Sequence, residues 1–133
     1  MKRFIDTNIL VYAQQSERRS ERARAIIAEG GVVSVQVLNE FVAVARRKLE
    51  RTWPEVAAAL ADLRDALPPP TSLTVKTHEA AVMLAQAHSL GFYDALVVAA
   101  AIEAGCDELL SEDLQTGRRF GALRIVNPFA ETA

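Results

Sequence analysis

Short apolar runs alternate along the chain with longer stretches in which apolar positions recur every three or four residues. Arg3-Phe4-Ile5-Asp6 reads as a short buried strand. At its carboxyl end, Asp6-Thr7-Asn8 supplies side chains suited to a turn and to capping the helix that Ile9, Leu10, Val11 and Tyr12 continue. A second helix starts at Ser16 or Ser20 and runs through Glu29, where Gly30-Gly31 ends it. Val32 and Val33 form a second short strand. Ser34 suits the N-cap of a helix reaching about Leu49, in which Leu38, Phe41, Val42, Ala45 and Leu49 make one apolar stripe. At about 100° per residue, Glu40 projects away from that stripe in a row with Gln36 and Arg47. Thr52 and Pro54 open another helix, and Pro68-Pro69-Pro70 terminates it, because proline lacks the N–H and its ring clashes with the preceding turn.

Leu73 to Val75 read as a third strand, and Thr77 begins an amphipathic helix that Gly91 closes in the left-handed conformation. From Ala95 to Ile102 every position is apolar, which predicts a helix buried on nearly all sides with Asp94 in its first turn. Glu108-Leu109-Leu110 is a fourth strand leading into Ser111-Glu112-Asp113, and Arg124-Ile125-Val126 is a fifth. Strands alternating with helices imply an α/β fold: a mainly parallel central sheet of four to five short strands, flanked by helices in three layers. Ligands of such sheets bind beyond the carboxyl ends of the strands. Asp6 and Asp113 both follow a strand directly, and Asp94 at a helix start can share their edge.

The 133 residues suit one domain spanning 1–133. Half are hydrophobic and 24% charged, the balance of a folded globular chain. No apolar run approaches the roughly 20 residues of a membrane span, and Lys2-Arg3 is followed by only two apolar residues before Asp6, so a cytosolic protein without a signal peptide is expected. The single cysteine, Cys106, excludes an internal disulfide and a thiolate metal cage. The formal net charge of −2 argues against a nucleic-acid partner until location is considered. If Asp6, Glu40, Asp94 and Asp113 share one site neutralised by cations, 13 of the 17 acidic residues remain against 15 basic ones, and the rest of the surface is mildly basic.

Each of these acids has a plain structural role open to it. Asp6 and Asp113 can cap helices, Asp94 can favour the positive end of a helix, and Glu40 can face solvent. Together they mean more. Two like charges about 4 Å apart cost about 4 kcal/mol at an effective dielectric near 20, and hard divalent cations with oxygen ligands remove that cost. The matching chemistry is phosphodiester hydrolysis by a metal-activated water. His78 and His88 lie on one helix with no Ser or Cys nucleophile patterned near them and read as ordinary helix residues, and no glycine-rich nucleotide loop is present. Phosphoryl transfer through an aspartate nucleophile is disfavoured, because Asn8 stands two positions after Asp6 and no lysine lies near the last strand.

At these residues the chain resembles the PIN-domain family, and within it the VapC-type toxins of bacterial and archaeal toxin–antitoxin pairs. The resemblance runs nearly end to end: FIDTNIL holds Asp6, VLNEF holds Glu40, and LGFYDALVVAAAIEAGCDELLSEDLQTG holds Asp94 and Asp113, followed by RIVNP. It implies that these four acids bind Mg²⁺ or Mn²⁺ and cut single-stranded RNA regions, leaving a 5′-phosphate. Thr7, Asn8 and Ser111 would orient the carboxylates from behind, whereas Glu112 is left outside the metal set. Arg18, Arg19, Arg22 and Arg24 read as a solvated helix face. Arg46, Arg47, Arg118 and Arg119 follow Glu40 and Asp113 and are candidates to hold RNA phosphates. The resemblance also implies a homodimer and a cognate antitoxin whose tail covers the site. Trp53, Phe4 and the apolar helix faces offer material for a groove taking a partner helix, although core or hairpin packing is the commoner place for a residue such as Trp53. A PIN-fold nuclease of RNA maturation and a non-catalytic RNA- or partner-binding module remain the alternatives.

Overall fold

A computed structural model describes residues 1–130; residues 131–133, the end of the span expected to form one domain, lie outside the described residues. The elements run β1 (Arg3–Ile5), α1 (Thr7–Ala13), α2 (Ser20–Glu29), α3 (Val35–Arg47), α4 (Trp53–Ala66), α5 (Val75–His88), α6 (Phe92–Glu103), β2 (Glu108–Leu110), β3 (Arg119–Phe120) and β4 (Leu123–Val126). The strands form one sheet in the order β1-β2-β4-β3, in which β1, β2 and β4 are mutually parallel neighbours and β3 returns antiparallel to β4. This is the mainly parallel α/β architecture implied by the alternation of elements. All the described helices fall between β1 and β2, adjacent strands, so the chain leaves the sheet at Ile5 and re-enters beside its starting point.

Burial explains why so few strand residues suffice. Phe4 and Ile5 of β1, Leu109 and Leu110 of β2, and Leu123 and Ile125 of β4 are buried in one cluster with Ile9, Leu10, Ile26, Val37, Phe41, Val97 and Val98 from the helices. Each large apolar side chain buried this way contributes about 1.5–3 kcal/mol. In α6, Ala95 through Ala101 are all buried, and Ile102 and Glu103 emerge at the far end. Ala81 of α5 meets Ala95, Leu96 and Ala99 there, and the three alanines let the two helices approach closely. No single described helix is long and apolar enough to cross a membrane; α5 and α6 reach that length and composition only as a pair, bent by 117°.

Strand register brings two polar residues to one edge. Ile5 lies opposite Leu110, and Leu110 opposite Val126. The ladder then continues by one residue: Asp6 N donates to Leu110 O at 3.1 Å and Ser111 N to Val126 O at 3.0 Å. Asp6 and Ser111 therefore stand side by side at the carboxyl edge of the sheet.

Helix starts coincide with their capping side chains. Ser34 Oγ accepts from Val37 N at the start of α3, and Thr52 and Glu55 form a reciprocal capping box at α4 with proline in its first turn. At α5 the structure corrects the expected boundaries. Leu73 to Val75 is not a strand: Thr74 Oγ1 accepts from Thr77 N at 3.1 Å, so the helix begins at Val75 rather than Thr77, and Val75 is 72% exposed instead of lying in a sheet. The backbone pairs two residues earlier, where Thr71 bridges Ser34. Gly91 does not close α5; Ser89 takes the left-handed conformation (φ 55°, ψ 43°), and Gly91 is the N-cap of α6. The strand expected at Val32 and Val33 reduces to a single bridge, Val32 pairing with Phe4 in parallel at the edge of the sheet. The β3–β4 hairpin lacks the alternating apolar run that would have announced β3.

Gly31 owes its identity to this edge. A Cβ there would lie 2.7 Å from Ile5 Cδ1, 2.9 Å from Ile5 Cγ1 and 3.3 Å from Arg3 O. Ile5 is fully buried and cannot swing aside. Gly31→Ala is expected to destabilise the chain by about 1–3 kcal/mol, the range for overpacking, and urea unfolding at wild-type midpoint would contradict the close approach.

Candidate active site

Asp6 ends β1 and caps α1, so its carboxylate is fixed by two elements at once. Its Oδ1 accepts from Thr7 N at 2.7 Å and its Oδ2 from Ser111 Oγ at 2.7 Å, and the residue is 5% exposed. Each oxygen keeps a further lone pair for another partner. The remaining acids stand on neighbouring elements. Glu40 lies on the polar row of α3, half-buried, and its Oε2 accepts from Thr7 Oγ1 at 2.8 Å. Asp113 lies in the irregular segment after β2; its Oδ2 accepts from Asn8 Nδ2 at 2.8 Å and its N–H donates to Ser111 Oγ at 3.2 Å. No helix follows Asp113 among the described residues, so it caps none. Asp94 sits in the first turn of α6 without capping it, its Oδ2 lying back over Gly91.

Electrostatic coupling links the four. Burial pushes the Asp6 carboxyl from 3.8 up to about 6, against the hydrogen bonds from Ser111 and Thr7, and the charges of Asp113 and Glu40 add to the rise. Burial also raises Asp94, and the charge of Asp113 raises it further. The charge of Asp113 thus reaches both Asp6 and Asp94, and that of Glu40 reaches Asp6. Among the described residues, no lysine or arginine forms an ion pair with any of them.

This donor set fits a hard divalent cation: all oxygen, concentrated negative charge, and no protein cation paired with it among the described residues. It is an open set rather than a cage, since among the described residues no three acidic, histidine or cysteine side chains are gathered closely enough to enclose a metal by themselves. Mg²⁺ tolerates that arrangement, because it keeps several waters and takes few protein carboxylates.

Ser111 holds three partners through one hydroxyl: it donates to Asp6 and accepts from the N–H groups of Asp113 and Leu114. Ser111→Ala is expected to cost about 1–3 kcal/mol, since buried groups lose their partner, and to raise the Asp6 pKa, because a hydrogen bond that favoured the carboxylate is gone. NMR titration of the Asp6 carboxyl measures this; an unchanged titration would contradict it.

The structure does not bring every candidate to this edge. Arg118 donates to His88 O at 2.8 Å and lies over the Phe120 ring, and Arg119 in β3 lines a cavity of about 380 Å³ with Cys106, Asp107 and Ala122. That cavity adjoins the amino end of β2, at the opposite end from Ser111, so the hairpin missed in the sequence carries Arg119 away from that edge. Arg46 donates to Arg51 O at 2.8 Å and stacks over Trp53, while Arg47 is exposed on the Glu40 row. Trp53 is 58% exposed, not core, and Phe4 is fully buried and so lines no partner groove. His78 and His88 pack edge-on against Phe92 and Phe120. Cys106 is buried, which pushes its thiol pKa up.

Arg19 departs most from expectation. It is not part of a solvated face: it meets both carboxylate oxygens of Glu112, at 2.9 and 3.0 Å, and lies 4.1 Å above the Tyr12 ring. Tyr12 donates its hydroxyl to Glu112 at 2.6 Å. Burial and the Glu112 carboxylate push the Tyr12 phenol up to about 12. The partners are 93 and 100 residues apart, and no local pattern signals them.

Solved structures of similar fold include VapC20 of Mycobacterium tuberculosis, described as a sarcin–ricin loop cleaving toxin, at 21% identity and TM-score 0.69, covering 84% of this chain and 92% of that one. A toxin–antitoxin complex from Klebsiella pneumoniae is similar at 21% identity and TM-score 0.72, covering 96% and 98%. VapBC2 of Rickettsia felis, bound to a DNA fragment from its promoter, is similar at 18% identity and TM-score 0.66, covering 94% and 97%. No curated protein sequence matches the chain. The family model described as PIN domain matches residues 3–119, and with β1, all six helices, β2 and the four coupled acids inside that span, the chain belongs to the PIN-domain family.

Proposed function

We propose that this protein is a Mg²⁺- or Mn²⁺-dependent endoribonuclease, a single PIN domain acting in the cytosol as the VapC-type toxin of a toxin–antitoxin pair. Asp6, Glu40, Asp94 and Asp113 hold the cation. The observation that carries the reading is the coupling of these four carboxylates at one sheet edge with no protein cation paired to them among the described residues. When bound, the cation supplies the charge that makes a water acidic and offsets charge gathering on the phosphoryl oxygens. The chain's own residues arrive oriented: Ser111 and the Thr7 N–H hold Asp6, the Thr7 hydroxyl holds Glu40, and Asn8 holds Asp113. Water attacks the RNA phosphodiester in line, the 3′ oxygen leaves, and the product carries a 5′-phosphate. Arg47, on the Glu40 row, contacts a neighbouring phosphate.

The neighbouring structures support toxin and antitoxin roles, since two of them are complexes of that kind. For self-association, support comes from exposed apolar side chains on and beside α5 and at the start of α6: Leu73, Val75, Val82, Met83, Phe92 and Tyr93. The test is incubation of the purified full chain with structured RNAs in Mg²⁺ or Mn²⁺, with and without EDTA. Cleavage to 5′-phosphate ends that EDTA abolishes is expected. No cleavage with either ion, or cleavage indifferent to EDTA, would overturn the reading.

A further inference from the structure

Of the four acids, Asp113 alone lies neither in a helix nor at a helix cap: residues 111–118 contain neither helix nor strand. A segment of this kind needs external anchors if it is to hold a carboxylate in place. Two come from α1. Asn8 and Tyr12 are four residues apart and share one helix face; Asn8 holds Asp113 at 2.8 Å, and Tyr12 holds the preceding residue, Glu112, at 2.6 Å. A third comes from the turn before α2, where Arg19 grips both oxygens of Glu112. Arg19 is itself fixed, by Glu17 at 2.7 Å and by stacking on Tyr12, and Tyr12 meets Phe129 edge-on at 5.3 Å.

We infer that Tyr12, Arg19 and Glu112 form a clamp of positioning residues, which docks the loop after β2 onto α1 and thereby sets where the Asp113 carboxylate stands relative to Asp6. The same α1 carries Asp6 as its N-cap, so one short helix references both acids. Arg19 Nη1 donates to both oxygens of Glu112 while its Nε and Nη2 donate to Glu17, so one planar guanidinium fixes the direction from which Glu112 is held. Its members are partly exposed, so it adds little to global stability. That separation distinguishes positioning from a purely structural role. The consequence for catalysis rests on the function proposed above; the docking of the loop does not.

The test uses the full chain with Arg19→Met, which keeps the stem and removes the guanidinium, and Arg19→Lys, which restores the charge without the fork. Hydrogen exchange at the Asp113 and Leu114 N–H groups, measured without metal or RNA, reads the loop directly. Arg19→Met is expected to speed that exchange about 10-fold or more with Tm within about 3 °C of wild type. Mn²⁺ affinity by electron paramagnetic resonance is expected to fall about 10-fold, and kcat about 10- to 100-fold, with KM for RNA within about twofold; Arg19→Lys recovers part of each loss. Should Arg19→Met fail to fold, Glu112→Gln and Tyr12→Phe carry the same signature at smaller size. Unchanged exchange and Mn²⁺ affinity in a folded variant would overturn the clamp. So would a raised KM with unchanged Mn²⁺ affinity, which would make Arg19 an RNA contact. A wild type that cleaves no RNA would sink the nuclease reading, and the exchange result would still decide the clamp.

Discussion

Asp6→Asn and Asp94→Asn are each expected to lose about 10³-fold or more in kcat on RNA with Mn²⁺, roughly 4 kcal/mol of transition-state stabilisation, while keeping the circular dichroism of wild type. Both replacements are close to isosteric. At Asp6 the amide oxygen still accepts from Thr7 N, while the bond from Ser111 Oγ is lost, because that hydroxyl already accepts from two N–H groups and has no lone pair left for the amide nitrogen. What disappears is one negative charge from a coupled set, along with an anionic oxygen for the cation. Asp65→Asn, on the exposed side of α4, removes the same charge elsewhere and is expected to leave kcat unchanged. Wild-type turnover in both site variants would remove these residues from the chemistry.

The second large effect is on stability, and burial sets its sign. The folded-state pKa of Asp6 lies near 6, above its ordinary 3.8, so the native state binds that proton more tightly than the unfolded chain. Stability without metal therefore falls as pH rises through about 4 to 6, and the loss is complete above 6, on the order of 3 kcal/mol for a shift of about two units. Asp6→Asn never carries the charge. Without metal it is expected to be more stable than wild type at pH 8 by about 1–3 kcal/mol, with the difference closing near pH 4. Adding Mn²⁺ is expected to stabilise wild type at pH 8 and to leave Asp6→Asn nearly unmoved, because only a species that binds the native state raises its stability. Parallel pH profiles for the two proteins would show that the charge on Asp6 is not costly in the fold.

Both effects depend on contacts that a sequence only half reveals. Asp6 and the strand before it were legible because Phe4-Ile5 is a compact apolar run that ends in residues able to cap a helix. Glu40 stood out because helical period separates it from the stripe of Leu38, Phe41 and Ala45, and α6 because it has no polar residue between Asp94 and Glu103. Local pattern failed where an apolar run did not mean burial: Leu73-Thr74-Val75 has strand-like composition, but the Thr74 hydroxyl caps a helix there and Val75 faces solvent. It failed again where a charge run did not mean solvation. Arg19 looks like its neighbours Arg18 and Arg22 until the fold brings Glu112 to it across 93 residues. Arg119 sits close to Asp113 in sequence but lies in β3, lining a cavity at the amino end of β2, because a hairpin intervenes. Spacing tells which side chains can share a face; which faces meet is decided by the packing of the core.

The coupled carboxylates at the carboxyl edge of β1 and β2 are the proposed site for a divalent cation. A crystal grown with Mn²⁺ and measured for anomalous scattering tests it most directly. The expected result is a peak within coordination distance of Asp6 together with Asp94 or Asp113, at about the 2.0–2.2 Å oxygen distances of small divalent ions, and no such peak in Asp6→Asn. A saturated crystal with no peak among these four acids, or with its only peak elsewhere on the surface, would rule this site out.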